Sequence, residues 1–284
     1  MHELLHAIVH SVIILPFLYI AYLLMELLEH KAGDKFKANL AADRRTGPVL
    51  GAFFGIIPLC GFSDLGASLY AGRVISLGTL IALFISTSGE AVFIAAAHPE
   101  KLLSLFFIFL LKFAFACICG FIIDFYMRGK QPDIHIHDLC EAEKCHCEHS
   151  NVFVSALRHA VPMFGVVLFV NCLVALLEAL GIMETMSIAV QNFPAIGVIF
   201  SAVIGFIPGC APLVLLISLW YEGMLSAAAL LTGLITSAGT GYLVLFSTNK
   251  NVKHSIFITM FILSLAIVVG GFFELTGLLT KLGV

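Results

Sequence analysis

The sequence predicts an all-α membrane protein that crosses the bilayer many times and is built from two related halves. Of its 284 residues, 60% are hydrophobic and only 12% are charged, against about 25% charged in soluble domains. Several apolar runs exceed the ~20 residues that a helix needs to cross a bilayer. The stretch 55–90 recurs at 205–240 without a gap.

The two copies are identical at 11 of 36 positions, at a constant separation of 150 residues. The shared positions include Gly55/Gly205, Pro58/Pro208, Cys60/Cys210, Ser76/Ser226 and Gly89/Gly239. Each copy is an apolar segment interrupted by Pro-x-Cys and a small residue. Such paired interruptions in corresponding halves indicate the binding site of a transporter.

In chain order, a first membrane repeat (1–126), a polar linker (127–151) and a second repeat (152–284) are predicted. The first span lacks a basic start and a small-residue cleavage site, so we expect a retained helix rather than a signal peptide. A basic loop, 30–47, follows it. The predicted spans are 5–28, 76–97, 101–124, 152–180, 225–246 and 255–274, and the broken segments are 48–72 and 193–221.

The broken segments allow two topologies. If each crosses the membrane once, the halves form a parallel repeat of four spans. If each enters and returns as a re-entrant hairpin, the halves form an inverted repeat of three spans plus one hairpin, with about ten hydrophobic segments in all. With the N-terminus outside, the hairpin arrangement places twelve of the 15 basic residues on one side, as expected of cytoplasmic loops. We therefore predict the inverted repeat.

Within each hairpin, the first half-helix is expected to end near its proline, which removes a hydrogen-bond donor and clashes with the preceding turn. The returning half-helix is expected to start near Gly61 in one half and Ala211 in the other, with Ser63 as an N-cap. Non-helical backbone at membrane depth is tolerated where it is buried in protein or lines a wet cavity. The residues assigned to the breaks are Gly55, Pro58, Gly61, Gly205, Pro208 and Pro212.

Cys60 and Cys210 precede the predicted helix starts. The positive end of a helix dipole favours a thiolate there, and thiolates are the preferred ligands of soft metals. The alternative is that both cysteines are small packing residues.

Carboxylates within the apolar stretches are a second group of candidate ligands. Asp64 and Glu90 lie in apolar stretches of the first half. Acids within a membrane are energetically costly and are functional candidates by default. Their counterparts are Val214 and Thr240. Asp124 and Glu274, near span ends, are expected at the membrane interface.

Hydroxyl groups lie beside a glycine on the third helix of each half. The candidates for substrate binding are Ser86, Ser88, Thr236 and Ser237. The alternative is bonding to their own helix and small-residue packing.

The linker 133–149 is rich in histidine, cysteine and acids, a composition typical of metal binding. Its spacing matches no zinc finger, and a solvated linker is the alternative. The candidate ligands are His135, His137, Cys140, Cys145, His146, Cys147 and His149.

The stretches GIIPLCGFSDLGASLYAGRVISLGT (55–79), STSGE (86–90) and GFIPGCAP (205–212) resemble the ten-segment heavy-metal or arsenic efflux permeases, also labelled manganese transporters. The likeness covers essentially the whole chain, and a similar Pro-x-Cys motif marks the wider organoarsenical permease group. It implies an exporter of the bacterial inner membrane.

We therefore expect a secondary-active exporter of a metal or metalloid ion and no enzyme, with the ion passing between the two breaks. Cys60 and Cys210 favour an arsenite-like ion, whereas Asp64, Glu90 and the hydroxyls favour a manganese-like cation. Proton coupling, a homo-oligomer, a metal channel or an importer stay open, and an intramembrane metalloenzyme lacks its His-Glu-x-x-His motif. The expected partners are the ion and the lipid bilayer, with no cofactor and no nucleic acid.

Overall fold

The computed structural model describes residues 46–57, 61–72, 74–87, 101–127, 194–208, 211–249 and 251–281, with isolated helical residues at 16, 19, 23, 153, 154, 157, 161, 165 and 168. In this part of the chain every regular element is a helix. The helices are α1 Gly47–Ile56, α2 Gly61–Ala71, α3 Leu77–Ser86, α4 Leu102–Met127, α5 Pro194–Gly205, α6 Ala211–Tyr221, α7 Ala227–Thr236, α8 Gly241–Thr248, α9 Val252–Thr276 and α10 Leu278–Lys281.

The described helices fall into two length classes. α4 and α9 contain 26 and 25 residues, so each is about 38 Å long at 1.5 Å per residue and can cross a bilayer core of about 30 Å. α1, α2, α3, α5, α6 and α7 contain 10 to 12 residues. At about 15–18 Å, each of these reaches through only half of the hydrocarbon core.

The span predicted at 225–246 is not one continuous helix, which corrects the prediction. Ala227–Thr248 is long and apolar enough to cross a membrane, but it is divided into α7 and α8 at residues 237–240. Gly239 there adopts a φ of 58°, a left-handed conformation that glycine tolerates without strain. The equivalent helix of the first half, α3, likewise ends at Ser86 within the predicted span 76–97, and residues 88–100 lie outside the described residues.

The centre of the structure consists of α3 and α7, in which every residue is buried. α4 and α9 lie against them and expose large apolar side chains on their outer faces, among them Leu103, Phe125, Val268 and Leu275. An apolar outer surface of this kind suits contact with lipid rather than water. α3 and α7 therefore occupy the interior of the described structure, and α4 and α9 cover them. The short helices α1 and α5 also expose apolar side chains, among them Phe53 and Ile199.

The contacts within each half repeat at the 150-residue separation. Ser76 and Ser226 cap the N-termini of α3 and α7, each accepting a bond of 3.1 Å from the backbone N–H three residues later. α1 packs on α3 as α5 packs on α7, and α3 packs on α4 as α7 packs on α9. The repeat seen in the sequence is therefore also a repeat of packing.

Candidate functional site

The breaks in α1–α2 and α5–α6 occur where the sequence predicts them. α1 ends at Ile56 and α5 at Gly205, each two or three residues before its proline. α2 begins at Gly61 and α6 at Ala211, and the buried Pro212 lies in the first turn of α6. The Ser63 prediction was wrong in detail, because α2 starts two residues earlier and places Ser63 inside its first turn.

Gly55 and Gly205 bring the ends of α1 and α5 against the ends of α3 and α7. A Cβ atom at Gly55 would overlap the Ser86 side chain and lie 2.6 Å from the Leu83 carbonyl oxygen. A Cβ atom at Gly205 would overlap Thr236, the counterpart of Ser86, and the Gly233 carbonyl. Only glycine allows this close approach of backbones in each half.

Asp64 is the best-placed candidate ligand among the described residues. It lies in the first turn of α2, is 1% exposed, and accepts a hydrogen bond of 2.7 Å from the hydroxyl of Thr240. Asp64 and Thr240 belong to different halves. The adjacent Ser63 packs closely on Gly241. A Cβ atom added at Gly241 would lie 2.8 Å from the Ser63 side chain. The start of α2 is therefore joined to the break between α7 and α8.

Thr240 has a particular place in the repeat, because it is the counterpart of Glu90. The second half thus supplies a neutral hydroxyl where the first half carries an acid. Sequence reasoning named Thr240 only as a position where the repeat had diverged, and it did not predict the bond to Asp64. The signal was that Asp64 has no acid or base at its own counterpart, Val214.

Three of the four predicted hydroxyl candidates, Ser86, Thr236 and Ser237, are described and buried. The Ser86 hydroxyl donates to the Leu83 carbonyl at 3.1 Å, and the Thr236 hydroxyl donates to the Gly233 carbonyl at 3.1 Å. Ser237 is buried as the C-cap residue of α7. They lie at helix ends rather than in the middle of continuous spans, so the carbonyl groups of these ends are also close by.

Lys112 is a buried charge that sequence reasoning passed over. It is 1% exposed in the middle of α4, and its ammonium group donates a short hydrogen bond to the carbonyl oxygen of Thr87. Thr87 is the C-cap residue of α3. A lysine in the middle of an apolar span is itself the signal that could have identified it.

Tyr242 is a second buried polar side chain that was not predicted. Its ring stacks on Phe206 with centroids 4.6 Å apart and meets Phe84 edge-on at 5.1 Å. Its buried hydroxyl has no hydrogen-bond partner among the described residues. Phe206 precedes the Pro208 break, so Tyr242 brings α8 to the end of α5.

Asp124 and Glu274 form hydrogen bonds within the protein. Their expected place at the membrane interface stays a prediction. Asp124 accepts from the Ser76 hydroxyl at 2.5 Å and from the Gly78 backbone N–H at 2.8 Å. Glu274 accepts from the Ser226 hydroxyl in the second half. Both acids therefore stabilise the N-terminal ends of the central helices, where negative charge is favourable.

Several predicted ligands lie outside the described residues. These are Cys60, Cys210, Glu90, Ser88, the break residue Pro58 and the linker residues His135, His137, Cys140, Cys145, His146, Cys147 and His149. Among the residues that the structure does describe, no group of three histidine, cysteine or acidic side chains is close enough to hold a metal ion. The soft-ligand and linker hypotheses stay predictions.

Long apolar helices packed on the buried short helices α3 and α7 are typical of a multi-pass membrane protein. Over residues 10–192 the chain matches the family described as "Putative, 10TM heavy-metal exporter". This match covers more than half of the chain, and the protein belongs to that family. The resemblance predicted from the sequence is thereby confirmed. No curated protein and no solved structure matches the chain.

Proposed function

We propose that this protein is a secondary-active transporter that exports a metal or metalloid ion through a site between the two Pro-x-Cys breaks. The single observation that supports this most strongly is Asp64, a carboxylate 1% exposed among short apolar helices and bonded to Thr240 of the other half. A buried acid is costly unless it is used or paired. A site shared by two repeats is typical of secondary transporters.

The proposed ligands come from elements that start or end at this place. Cys60 and Cys210 immediately precede α2 and α6 in the chain, and Asp64 lies in the first turn of α2. Glu90 lies four residues beyond the end of α3. Thiolates would select an arsenite-like ion, and carboxylates a manganese-like one. The ion is the cargo, and the protein acts on it by changing access rather than as an enzyme.

We further propose that the halves form an inverted repeat with re-entrant hairpins, in the inner membrane of a bacterium and with the N-terminus outside. Contacts between the halves support a two-fold relation. Tyr70 bonds to His254 across the halves at 2.6 Å. At the 150-residue separation, Trp220 is the counterpart of Tyr70 and Ser104 is the counterpart of His254. Trp220 and Ser104 also lie together across the two halves, because both line one pocket of about 360 Å³.

The half-length of α1, α2, α5 and α6, the helices that flank the two breaks, is compatible with segments that enter and return without crossing. The basic asymmetry of the loops supports the orientation. Proton coupling through Asp64 or Glu90 is part of the proposal. When the ion leaves the site, the negative charge of such a carboxylate has no counter-ion, and binding a proton would neutralise it.

The test is ion uptake into proteoliposomes containing the purified protein, measured across a panel of soft and hard ions with and without an imposed proton gradient. For a thiophilic ion, Cys60→Ser and Cys210→Ser should each abolish binding, because a hydroxyl is a poor soft ligand. Asp64→Asn and Glu90→Gln should then mainly shift the pH dependence. For a hard divalent cation the acid variants should lose binding and the serine variants should be nearly normal.

Val214→Asn is the matched control, since it changes the counterpart of Asp64 in the other half. Normal transport by all four folded variants would place the site elsewhere. Absence of transport of any ion by the wild-type protein would overturn the proposed function itself.

A further inference from the structure

The middle of α4 carries a positive charge that the proposed site does not use. Lys112 is among the largest fully buried side chains of the described residues. It lies in α4, a helix that is long and apolar enough to cross a membrane. A lysine within a membrane span is expensive and is retained where a partner or a function compensates it. In the described part of the chain, its partner is the carbonyl oxygen of Thr87.

Thr87 is where α3 ends. The Ser86 hydroxyl, the Thr87 hydroxyl and the Thr87 backbone N–H all bond to the Leu83 carbonyl, at 3.1, 2.8 and 3.0 Å. The carbonyl groups after Leu83 have no following turn of α3 to bond to, and the helix dipole adds a partial negative charge there. In secondary transporters such half-helix carboxyl ends coordinate the coupling cation.

Other charged groups lie away from this end or have their own partners. α1, α3 and α7, which pack on α4, carry no titratable side chain. On α4 itself, Asp124 is twelve residues further along, about 18 Å, and bonds to Ser76 and Gly78. On α9, Glu274 bonds to Ser226 and His254 bonds to Tyr70. Among the described groups, the Lys112 ammonium is thus held by the carbonyl end of α3 and by no acid.

The second half shows that packing does not require a lysine at this position. The counterpart of Lys112 is Ile262, which is fully buried on α9. α9 packs on α7 as α4 packs on α3, so the two positions have equivalent surroundings. The charge of Lys112 is therefore a property added to the first half rather than a requirement of the fold.

We propose that the Lys112 ammonium is a tethered cation, which occupies the carbonyl end of α3 in place of a freely bound coupling cation such as sodium. This inference rests on the proposed transport function for its consequence, namely that export requires no sodium or potassium. Removal of the amine empties a site that suits a small monovalent cation. Lys112 is not one of the proposed ligands of the exported ion.

The test uses Lys112→Ala, which removes a propylammonium group, and supplies n-propylammonium or sodium to the purified full-length protein in N-methylglucamine buffer. Either cation should raise the melting temperature of this variant by about 2–4 °C in a saturable manner. Neither should stabilise the wild type or the matched control Ile262→Ala. The uncharged isostere n-propanol should have no effect on any of them.

In proteoliposomes, wild-type transport should be unchanged when N-methylglucamine replaces sodium. Lys112→Ala should transport slowly in N-methylglucamine and recover at least about tenfold with n-propylammonium. Equal stabilisation of Ile262→Ala, or equal stabilisation by n-propanol, would show a cavity effect and overturn the inference. So would sodium dependence of the wild type.

If Lys112→Ala does not fold, Lys112→Met retains the volume without the charge. It should be folded and at least about tenfold slower than wild type in any monovalent cation, and Lys112→Arg should retain transport. Wild-type rates in a folded Lys112→Met protein would overturn the proposal. The thermal-unfolding experiment contains no transported metal, so its result does not depend on transport. A wild type that transports no ion would refute the proposed function, whereas the unfolding data would still test cation binding at the end of α3.

Discussion

The ends of the two central helices have the same backbone plan and opposite electrostatic partners. At the end of α3, the Thr87 carbonyl accepts from Lys112, which comes from the same half. Beyond the end of α7, Thr240 donates to Asp64, which comes from the other half. The counterparts of the two charged residues are Ile262 and Val214, and both are apolar.

This difference shows that two halves with the same packing can carry different buried charges. The packing positions, such as Gly55/Gly205 and Ser76/Ser226, are the same in both halves because helix approach and capping have the same requirements. The charged positions differ between the halves, since Asp64 and Lys112 have the apolar counterparts Val214 and Ile262. The buried acid and the buried cation lie at different helix ends.

The bond between the halves is the part of this comparison with the largest expected effect on stability. Thr240→Val preserves shape but removes the donor to a buried carboxylate, which should destabilise the protein by about 1.5–3 kcal/mol. Thr240 makes no side-chain bond as the N-cap residue of α8, so capping is unaffected. Thermal unfolding of the purified variant measures the loss.

Two variants control this measurement. Thr240→Ser should recover most of the stability, since it restores the hydroxyl. Thr232→Val should change little, because that hydroxyl bonds only to the Ala228 carbonyl of its own helix among the described groups. A melting temperature of Thr240→Val equal to wild type would show that the halves are not joined at Asp64.

The packing that both halves share can be tested at two adjacent glycines. A Cβ atom at Gly270 would overlap the Thr232 side chain and lie 3.1 Å from Val198, whereas a Cβ atom at Gly271 would meet nothing within 4 Å. Gly270→Ala should therefore cost about 1–3 kcal/mol through overpacking. Gly271→Ala should be neutral or slightly stabilising, since alanine favours a helix over glycine.

The first-half counterpart, Gly120, should behave like Gly270. A Cβ atom at Gly120 would lie 2.8 Å from Pro48 and 2.9 Å from Ala82, the counterparts of Val198 and Thr232. Melting temperatures of Gly120→Ala, Gly270→Ala and Gly271→Ala decide the matter. Similar values for the last two would contradict the close approach of α7 and α9.

The acids at the helix starts should show a smaller and graded difference. Asp124 accepts two hydrogen bonds, from Ser76 and Gly78, and Glu274 bonds to Ser226 from a half-buried position. Asp124→Asn should cost about 1–2 kcal/mol, because its amide nitrogen cannot accept a bond. Glu274→Gln should cost less, since its remaining oxygen can still accept from Ser226. Loss of stability in the opposite order would refute this account of the two caps.

The sequence by itself determined the membrane class, the duplication and the position of the breaks at Pro58 and Pro208. These follow from local causes, because apolar composition, proline and capping residues act on the chain within a few residues of themselves. The same local reasoning was wrong at 237–240, where no proline marks the break and a left-handed Gly239 turns the chain instead.

Only the tertiary structure decided which polar groups meet. Thr240 and Asp64 are 176 residues apart in the chain, Lys112 and Thr87 are 25 apart, and Asp124 and Ser76 are 48 apart. Such pairs depend on how α2, α4 and α8 pack against the central helices, and no propensity or spacing encodes that packing. The sequence shows that charged residues lie within apolar segments. The fold decides which of them bonds to which helix end. In an apolar interior each polar group must bond to one of the groups that packing brings within reach.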